Sequence, residues 1–93
     1  MTKQKYSCTF PNNLKQYRTQ WGFKRAEVAA RIGLLRVRPL ARWEKGVIMP
    51  DSISLLKLSI LYDASPLELY REVMERLNAY LNEGDENLPT IAF

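Results

Sequence analysis

The chain has 93 residues, a length that suits one domain with a single hydrophobic core. Hydrophobic residues make up 46% of it and charged residues 26%, a balance that excludes wholesale disorder. No apolar run approaches the roughly 18 residues that span a bilayer. The lysine-bearing N-terminus also lacks the apolar stretch of a secretory signal. We therefore expect a cytoplasmic protein that has no association with membranes.

The absence of histidine and the single Cys8 restrict the chemistry further. Without histidine, zinc-hydrolase sites, Ser-His-Asp triads and Cys-His pairs are excluded. One cysteine can form neither an intramolecular disulfide nor a Cys-rich metal motif. No glycine loop that could cradle a phosphate is present either. We expect no enzyme activity, no metal and no other cofactor.

Positive charge is concentrated in the first half of the chain. Residues 1–50 carry eleven Lys and Arg against two Glu, whereas residues 51–93 carry three Lys and Arg against eight Asp and Glu. The net charge of +4 thus combines a basic half of +9 with an acidic half of −5. This asymmetry indicates a basic face for a polyanion and an acidic part with another role.

Capping signals and apolar periodicity predict five helices after an N-terminal arm, residues 1–12, that carries Lys3 and Lys5. The arm is either a minor-groove contact or a disordered terminus. An Asn of Pro11-Asn12-Asn13 supplies the first N-cap, and Ser65-Pro66 opens the last helix. The predicted helices are 13–21, 24–32, 39–45, 52–62 and 66–82.

The third predicted helix begins at Pro39, where the missing N–H is no loss. Its spacing turns Leu40 and Trp43 inward and Arg42 and Lys45 outward. The fourth helix is apolar nearly all round, so we expect it to be the most buried. We also expect both tryptophans, Trp21 and Trp43, to pack in the core.

Two short helices joined by a Gly-containing turn, the second of them basic, describe a helix-turn-helix. The segments LKQYRTQWGFKRAEVAARIG, ARWEKG and MPDSISLLKLSILYDASPLELY occur in order with matching spacing. On these segments the chain resembles the Cro-type phage-repressor (XRE-like) helix-turn-helix family over about residues 13–70. The resemblance implies an all-α, compact five-helix lambda-repressor-like domain that binds double-stranded DNA. The chain continues past it as an extended C-terminal helix and tail, 71–93.

The resemblance also implies roles for individual residues. Arg36, Val37, Arg38 and Arg42 match positions on or just before the recognition helix, about 37–45, that face base edges. Lys24, Arg25 and Lys45 match positions that hold DNA phosphates, and Arg18 and Glu44 match a structural salt bridge. The chain departs from the family in that Gly33 to Glu44 spans eleven positions where many members have ten.

The fifth predicted helix carries an apolar stripe that runs past the family's usual end near residue 70. Its members recur at spacings of 4, 3 and 4: Tyr70, Met74, Leu77 and Leu81. One interpretation is a homodimer seam, which would suit a pseudo-palindromic DNA site. The other is a helix folded back onto its own core.

We therefore expect a sequence-specific, repressor-like transcriptional regulator that acts on double-stranded DNA as a homodimer. The alternative is an antitoxin-like or adaptor protein whose acidic C-terminal half binds a protein partner.

Overall fold

Short helices joined by tight turns make up residues 9–83, the part of the chain that this computed structural model describes. This part contains six helices and no strand, which confirms the all-α prediction. The helices are α1 Leu14–Gln20, α2 Arg25–Ile32, α3 Arg38–Lys45, α4 Ser52–Tyr62, α5 Pro66–Leu69 and α6 Arg71–Glu83.

Side-chain caps begin α4 and α5. The Asp51 carboxylate accepts a hydrogen bond from the Ser54 amide at 3.2 Å. At α5, Ser65 Oγ accepts from the Glu68 amide at 3.1 Å, and the Glu68 carboxylate accepts from the Ser65 amide at 2.8 Å. These bonds satisfy amides that a helix start leaves without an intrahelical partner. The bonds at Ser65 confirm the capping predicted for that helix start.

Two asparagines fix the start of α1. Asn13 occupies the N-cap position, but its side chain makes no capping bond and instead donates to the Glu68 carbonyl at 3.0 Å. The acceptor at the helix start is Asn12 Oδ1, which receives the Leu14 amide at 3.0 Å. The helix-start signal in the sequence is therefore divided between two neighbouring residues with separate tasks.

One core gathers buried side chains from every helix and from the segment before α1. Phe10 belongs to this core, and its amide donates to the Gly46 carbonyl at 3.0 Å. The predicted arm, residues 1–12, is therefore too long, because the chain joins the domain by Phe10. Val73 is also buried, so the core extends past residue 70. The predictions for Lys3, Lys5 and residues 84–93 lie outside the described residues.

The fourth helix is not the most buried one, contrary to prediction. Only Leu58 and Tyr62 of α4 are buried, whereas Ile53, Leu56 and Ile60 are exposed. The helix packs against α2 and α5, and these two neighbours cannot surround an apolar surface that continues around its whole circumference. The exposed residues form an apolar face on α4.

The single fifth helix predicted over 66–82 is divided at Tyr70. This residue has φ −127° and ψ 44°, ends α5, and accepts the Met74 amide at 2.9 Å as α6 begins. The change of direction accompanies burial of Leu69, Tyr70 and Val73 in the core. The capping signals that place the start of α5 contain nothing that would mark this interruption.

The prediction that Trp21 packs in the core is wrong. Its side chain is about half exposed. The first helix ends at Gln20, so Trp21 leaves the helical stripe that would have buried it. Its indole N–H donates to the Tyr62 carbonyl at 2.9 Å, and its ring stacks on Phe23 with centroids 6.4 Å apart. Trp43, in contrast, is buried as predicted.

Candidate nucleic-acid interface

The turn between α2 and α3 is built on a left-handed glycine. Gly33 has φ 85°, and the following Leu34 amide donates to the Ala29 carbonyl at 2.8 Å. Glycine adopts this conformation without the penalty that a β-carbon brings. Lys57 Nζ donates to the Ile32 carbonyl at 3.0 Å and so caps the same helix end. After Leu34, residues 35–37 are exposed up to the start of α3.

Helix α3 has one buried side and one exposed side. It begins at Arg38, one residue before the predicted start, with Pro39 in its first turn where no intrahelical N–H bond is lost. Leu40 and Trp43 are buried, while Arg42 and Lys45 are exposed. The predicted orientation of the helix is therefore confirmed.

Arg38 and Arg42 lie between two shallow clefts on the exposed side of α3. They line the first cleft together with Ala41, Lys45 and Val47. The second cleft also contains both residues, and its other lining residues are Arg36, Pro39, Trp43 and Ile48. Of the residues predicted to face DNA, the structure thus brings Arg36, Arg38, Arg42 and Lys45 together around one helix.

These four basic residues, Arg36, Arg38, Arg42 and Lys45, form the α3 basic surface. Among residues 9–83, the ion pairs involve other cations, and none neutralises a member of this surface. The first turn of α3 contains no acidic residue either. An uncompensated cluster of this kind attracts polyanions and raises their local concentration.

A buried carboxylate holds α3 from its inner side. Glu44 Oε2 lies 2.6 Å from Arg18 Nε, and Glu44 Oε1 lies 3.2 Å from Arg18 Nη2. Arg18 Nη1 also donates to the Phe23 carbonyl at 3.0 Å. The Glu44 side chain is only 1% exposed. The structure therefore brings Arg18 and Glu44 together as a two-point ion pair that ties α3 to α1.

The hydrogen bonds and burial around Glu44 shift the pKa values of two neighbouring groups, Arg18 and Tyr62. The hydrogen bond to Glu44 raises the pKa of Arg18 above its ordinary value, because it favours the charged guanidinium. Burial, reinforced by the negative charge of Glu44, raises the pKa of the Tyr62 hydroxyl. Arg18 is therefore charged and Tyr62 neutral at physiological pH.

Arg25 forms an ion pair with Glu44, a structural role that differs from the predicted phosphate contact. Its Nε lies 3.0 Å from Glu44 Oε1, and its side chain is 36% exposed. The guanidinium expected to hold a phosphate is thus engaged within the domain, where it links α2 to α3. A separation of 19 residues gives no local pattern from which this pair could be found.

Lys24 remains exposed at the N-terminal end of α2, where its amide donates to the Glu27 carboxylate at 2.7 Å. That bond satisfies a backbone donor and leaves the lysine ammonium free of ion pairs within the described residues. Within residues 9–83, Lys24 therefore offers an unpaired positive charge at the start of α2, although the Glu27 carboxylate already occupies the backbone donor there.

Asn12 supports the end of α3, a role that no local sequence pattern indicates. Its Nδ2 donates to the Trp43 carbonyl at 2.9 Å and lies 3.5 Å from the Glu44 carbonyl. These carbonyls are in the last turn of α3, where intrahelical partners run out. The side-chain oxygen of Asn12 thus accepts a hydrogen bond from α1, while its side-chain amide donates one to α3. Asn12 therefore links the two helices.

The four residues predicted for a dimer seam do not share one environment. Tyr70 is buried in the core of its own chain, so it cannot lie at a surface seam. Leu77 is half-buried and packs against the core. Met74 and Leu81 are exposed, Leu81 to 76%. We define the outer face of α6 as the exposed Met74 and Leu81 together with the half-buried Leu77 of the same stripe; Tyr80 of this helix is exposed as well.

A protein-family model described as "Helix-turn-helix" (HTH_3) matches residues 14–69, more than half of the chain. The chain belongs to the XRE-type helix-turn-helix family. The match begins at the first residue of α1 and ends at the last residue of α5. Comparison with curated proteins and with solved structures found no match.

Members of this helix-turn-helix family are DNA-binding regulators and not typically enzymes. The domain therefore is of the DNA-binding regulator type, with α2 and α3 as its helix-turn-helix. No helix within residues 9–83 is long and apolar enough to cross a membrane. In the same residues, no group of three or more Cys, Asp or Glu side chains is arranged to hold a metal ion.

Proposed function

We propose that this protein is a sequence-specific regulator of transcription that binds double-stranded DNA and acts like a repressor, with α3 in the major groove. The observation that carries the proposal is the α3 basic surface, which has no compensating carboxylate within the described residues. An α-helix fits the major groove, and its N-terminal residues reach the base edges there.

Arg36, Val37, Arg38 and Arg42 contact bases in this proposal. A guanidinium can bond O6 and N7 of guanine at the same time, a contact that discriminates by about 1–3 kcal/mol. Lys45, at the far end of α3, and Lys24, at the start of α2, contact phosphates. Arg25 acts mainly through Glu44, because its guanidinium is held in that ion pair. Because 36% of the Arg25 side chain is exposed, its positive charge can still attract the phosphates of the DNA backbone.

The protein binds as a homodimer through the outer face of α6. Met74 and Leu81 supply exposed apolar surface there, and Leu77 continues it toward the core. A two-fold dimer places two recognition helices on successive half-sites of a pseudo-palindrome. A dimer suits a helix-turn-helix domain of this size, because a single copy of α3 has only eight residues with which to contact bases.

A second candidate is the adaptor or antitoxin-like function. It is favoured by the apolar face of α4, where Ile53, Leu56 and Ile60 are exposed, within a half of the chain that carries a net charge of −5. A protein partner could cover this face without involving α3. DNA binding would then be a secondary property.

Fluorescence anisotropy on a pool of random duplexes, recorded across a salt series, tests DNA binding. The affinity of the wild type should fall by about 0.9 log unit per log unit of salt for each phosphate contacted. The variant Arg38→Ala/Arg42→Ala should bind more weakly. Its charge-matched control is Lys15→Ala/Arg71→Ala, which removes two exposed positive charges that form no ion pair within the described residues and should bind nearly as the wild type does.

Absence of binding by folded wild-type protein at low salt would overturn the proposal. Equal losses in the two double variants would also count against it, because net charge alone would then explain binding. A tight protein partner that requires Ile53 and Ile60 would favour the adaptor function.

A further inference from the structure

Leu35 is the most exposed large apolar residue in the described part of the chain. It lies in the turn before α3, and its relative exposure is 101%. The preceding Leu34 packs against the core, so the two adjacent leucines have opposite environments. A single exposed leucine is unremarkable on a protein surface. The position of this one, next to the α3 basic surface, gives it significance.

Aliphatic side chains alternate with the cations at the entry to α3. The order Leu35, Arg36, Val37, Arg38 alternates apolar and basic residues, and all four are exposed. After the end of α3, Ile48 is exposed and shares one cleft with Arg36, Arg38 and Arg42. The surface therefore offers apolar contacts between positive charges, a combination that phosphates alone would not use.

In the major groove of double-stranded DNA, the C5 methyl of thymine is the main apolar group that such a side chain can meet. Most other atoms of the base edges there are hydrogen-bond donors or acceptors. A leucine beside Arg36 is held near the polyanion by its neighbour's charge, yet it can form no hydrogen bond there. Contact with a methyl group removes apolar surface of both partners from water.

We infer that Leu35 is a specificity-determining residue that packs against the C5 methyl group of thymine in the bound site. The inference rests on the proposed DNA-binding function. It extends the recognition surface backward from α3 into the turn and adds thymine to the guanines that the arginines contact. The preferred site then contains a thymine next to a guanine in each half.

Replacement of thymine by uracil tests the contact, because it removes only the methyl group. Duplexes selected from a random pool by the wild type are copied with either thymine or uracil, and both copies are titrated by anisotropy. Loss of one buried methyl should weaken wild-type binding by about three- to fivefold. The quantity compared is the affinity for the thymine duplex divided by the affinity for the uracil duplex. For Leu35→Ala, this thymine-to-uracil ratio should fall to half the wild-type ratio or less.

The matched control is Ile60→Ala, which shortens an aliphatic side chain that is 81% exposed on α4. It should keep the wild-type ratio. Any effect of uracil on duplex shape is common to all three proteins and so does not alter the comparison. Since Leu35 is fully exposed, the thermal unfolding of Leu35→Ala should match that of the wild type.

A wild-type protein that binds both copies equally well would overturn the methyl contact and leave the proposed function intact. A ratio in Leu35→Ala equal to that of the wild type would overturn the assignment to Leu35. Failure of the wild type to bind either copy would instead remove the proposed function, and this inference with it.

Discussion

Glu44 and Arg18 form a two-point ion pair in which the Glu44 side chain is almost completely buried, with the shorter contact at 2.6 Å. Because Arg25 binds the same carboxylate, one acidic side chain holds α1, α2 and α3 together. Helix α3, the proposed recognition helix, is thus positioned from its inner side while its outer side carries the uncompensated cations.

Glu44→Gln should destabilise the fold strongly. The substitution leaves the buried guanidinium of Arg18 without a compensating charge, and loss of one partner of a buried pair costs about 3–5 kcal/mol. Urea denaturation measures the change. The control is Glu72→Gln on α6, which breaks the exposed pair between Glu72 and Arg76 and should cost less than about 0.5 kcal/mol. Similar losses in the two variants would show that Glu44 does not have this structural role.

Tyr62→Phe should leave stability at neutral pH unchanged or raise it. The Tyr62 hydroxyl is buried and has no hydrogen-bond partner among the described residues, so its removal leaves no partner unsatisfied. Its raised folded-state pKa means that the unfolded chain ionises first. Wild-type stability should therefore decline as the pH rises above the ordinary tyrosine pKa of about 10.

Thermal unfolding of Tyr62→Phe between pH 7 and pH 11 measures both effects. The variant should show a smaller alkaline decline than the wild type, because one contributing group has been removed. A clear loss of stability at pH 7 would mean that the hydroxyl makes a favourable interaction, contrary to the environment described.

Leu81→Asp should convert the proposed dimer into a monomer. The side chain is 76% exposed within one chain, so aspartate should not disturb the fold, but a desolvated carboxylate is unfavourable in an apolar seam. Sedimentation equilibrium at micromolar concentration distinguishes the two states. Ile60→Asp, at a comparably exposed site on α4, is the matched control and should remain dimeric.

If the wild type is monomeric with and without DNA, the α6 seam is excluded. If Ile60→Asp dissociates the dimer and Leu81→Asp does not, the interface lies on the apolar face of α4.

Local signals in the sequence were sufficient to predict most of the helices. Gly33, Pro39 and Ser65 act within their own turns, where glycine conformation and capping determine the structure. The inward direction of Leu40 and Trp43 follows from helical spacing, because α3 has a distinct apolar side. These features depend on few residues and on no distant contact.

Long-range relationships were not predictable in the same way. The ion pair between Arg25 and Glu44 joins residues 19 positions apart, and the amide of Asn12 reaches Trp43 across 31 positions. Because α4 has apolar residues all around it, its sequence pattern does not indicate which side is buried. The break at Tyr70 interrupts an otherwise continuous apolar stripe. In each case tertiary packing decides the outcome, and spacing alone does not reveal it.

In the proposed complex, Arg38 and Arg42 contact guanines from the major groove. Replacement of single guanines by 7-deazaguanine in a selected duplex tests this contact, because the N7 acceptor is lost from that groove while Watson–Crick pairing is kept. Wild-type affinity should fall about 5- to 100-fold at a contacted guanine. At the guanines that Arg38 or Arg42 contacts, the variant Arg38→Ala/Arg42→Ala should bind the normal and substituted duplexes equally. A wild type that tolerates 7-deazaguanine at every position would contradict this base contact.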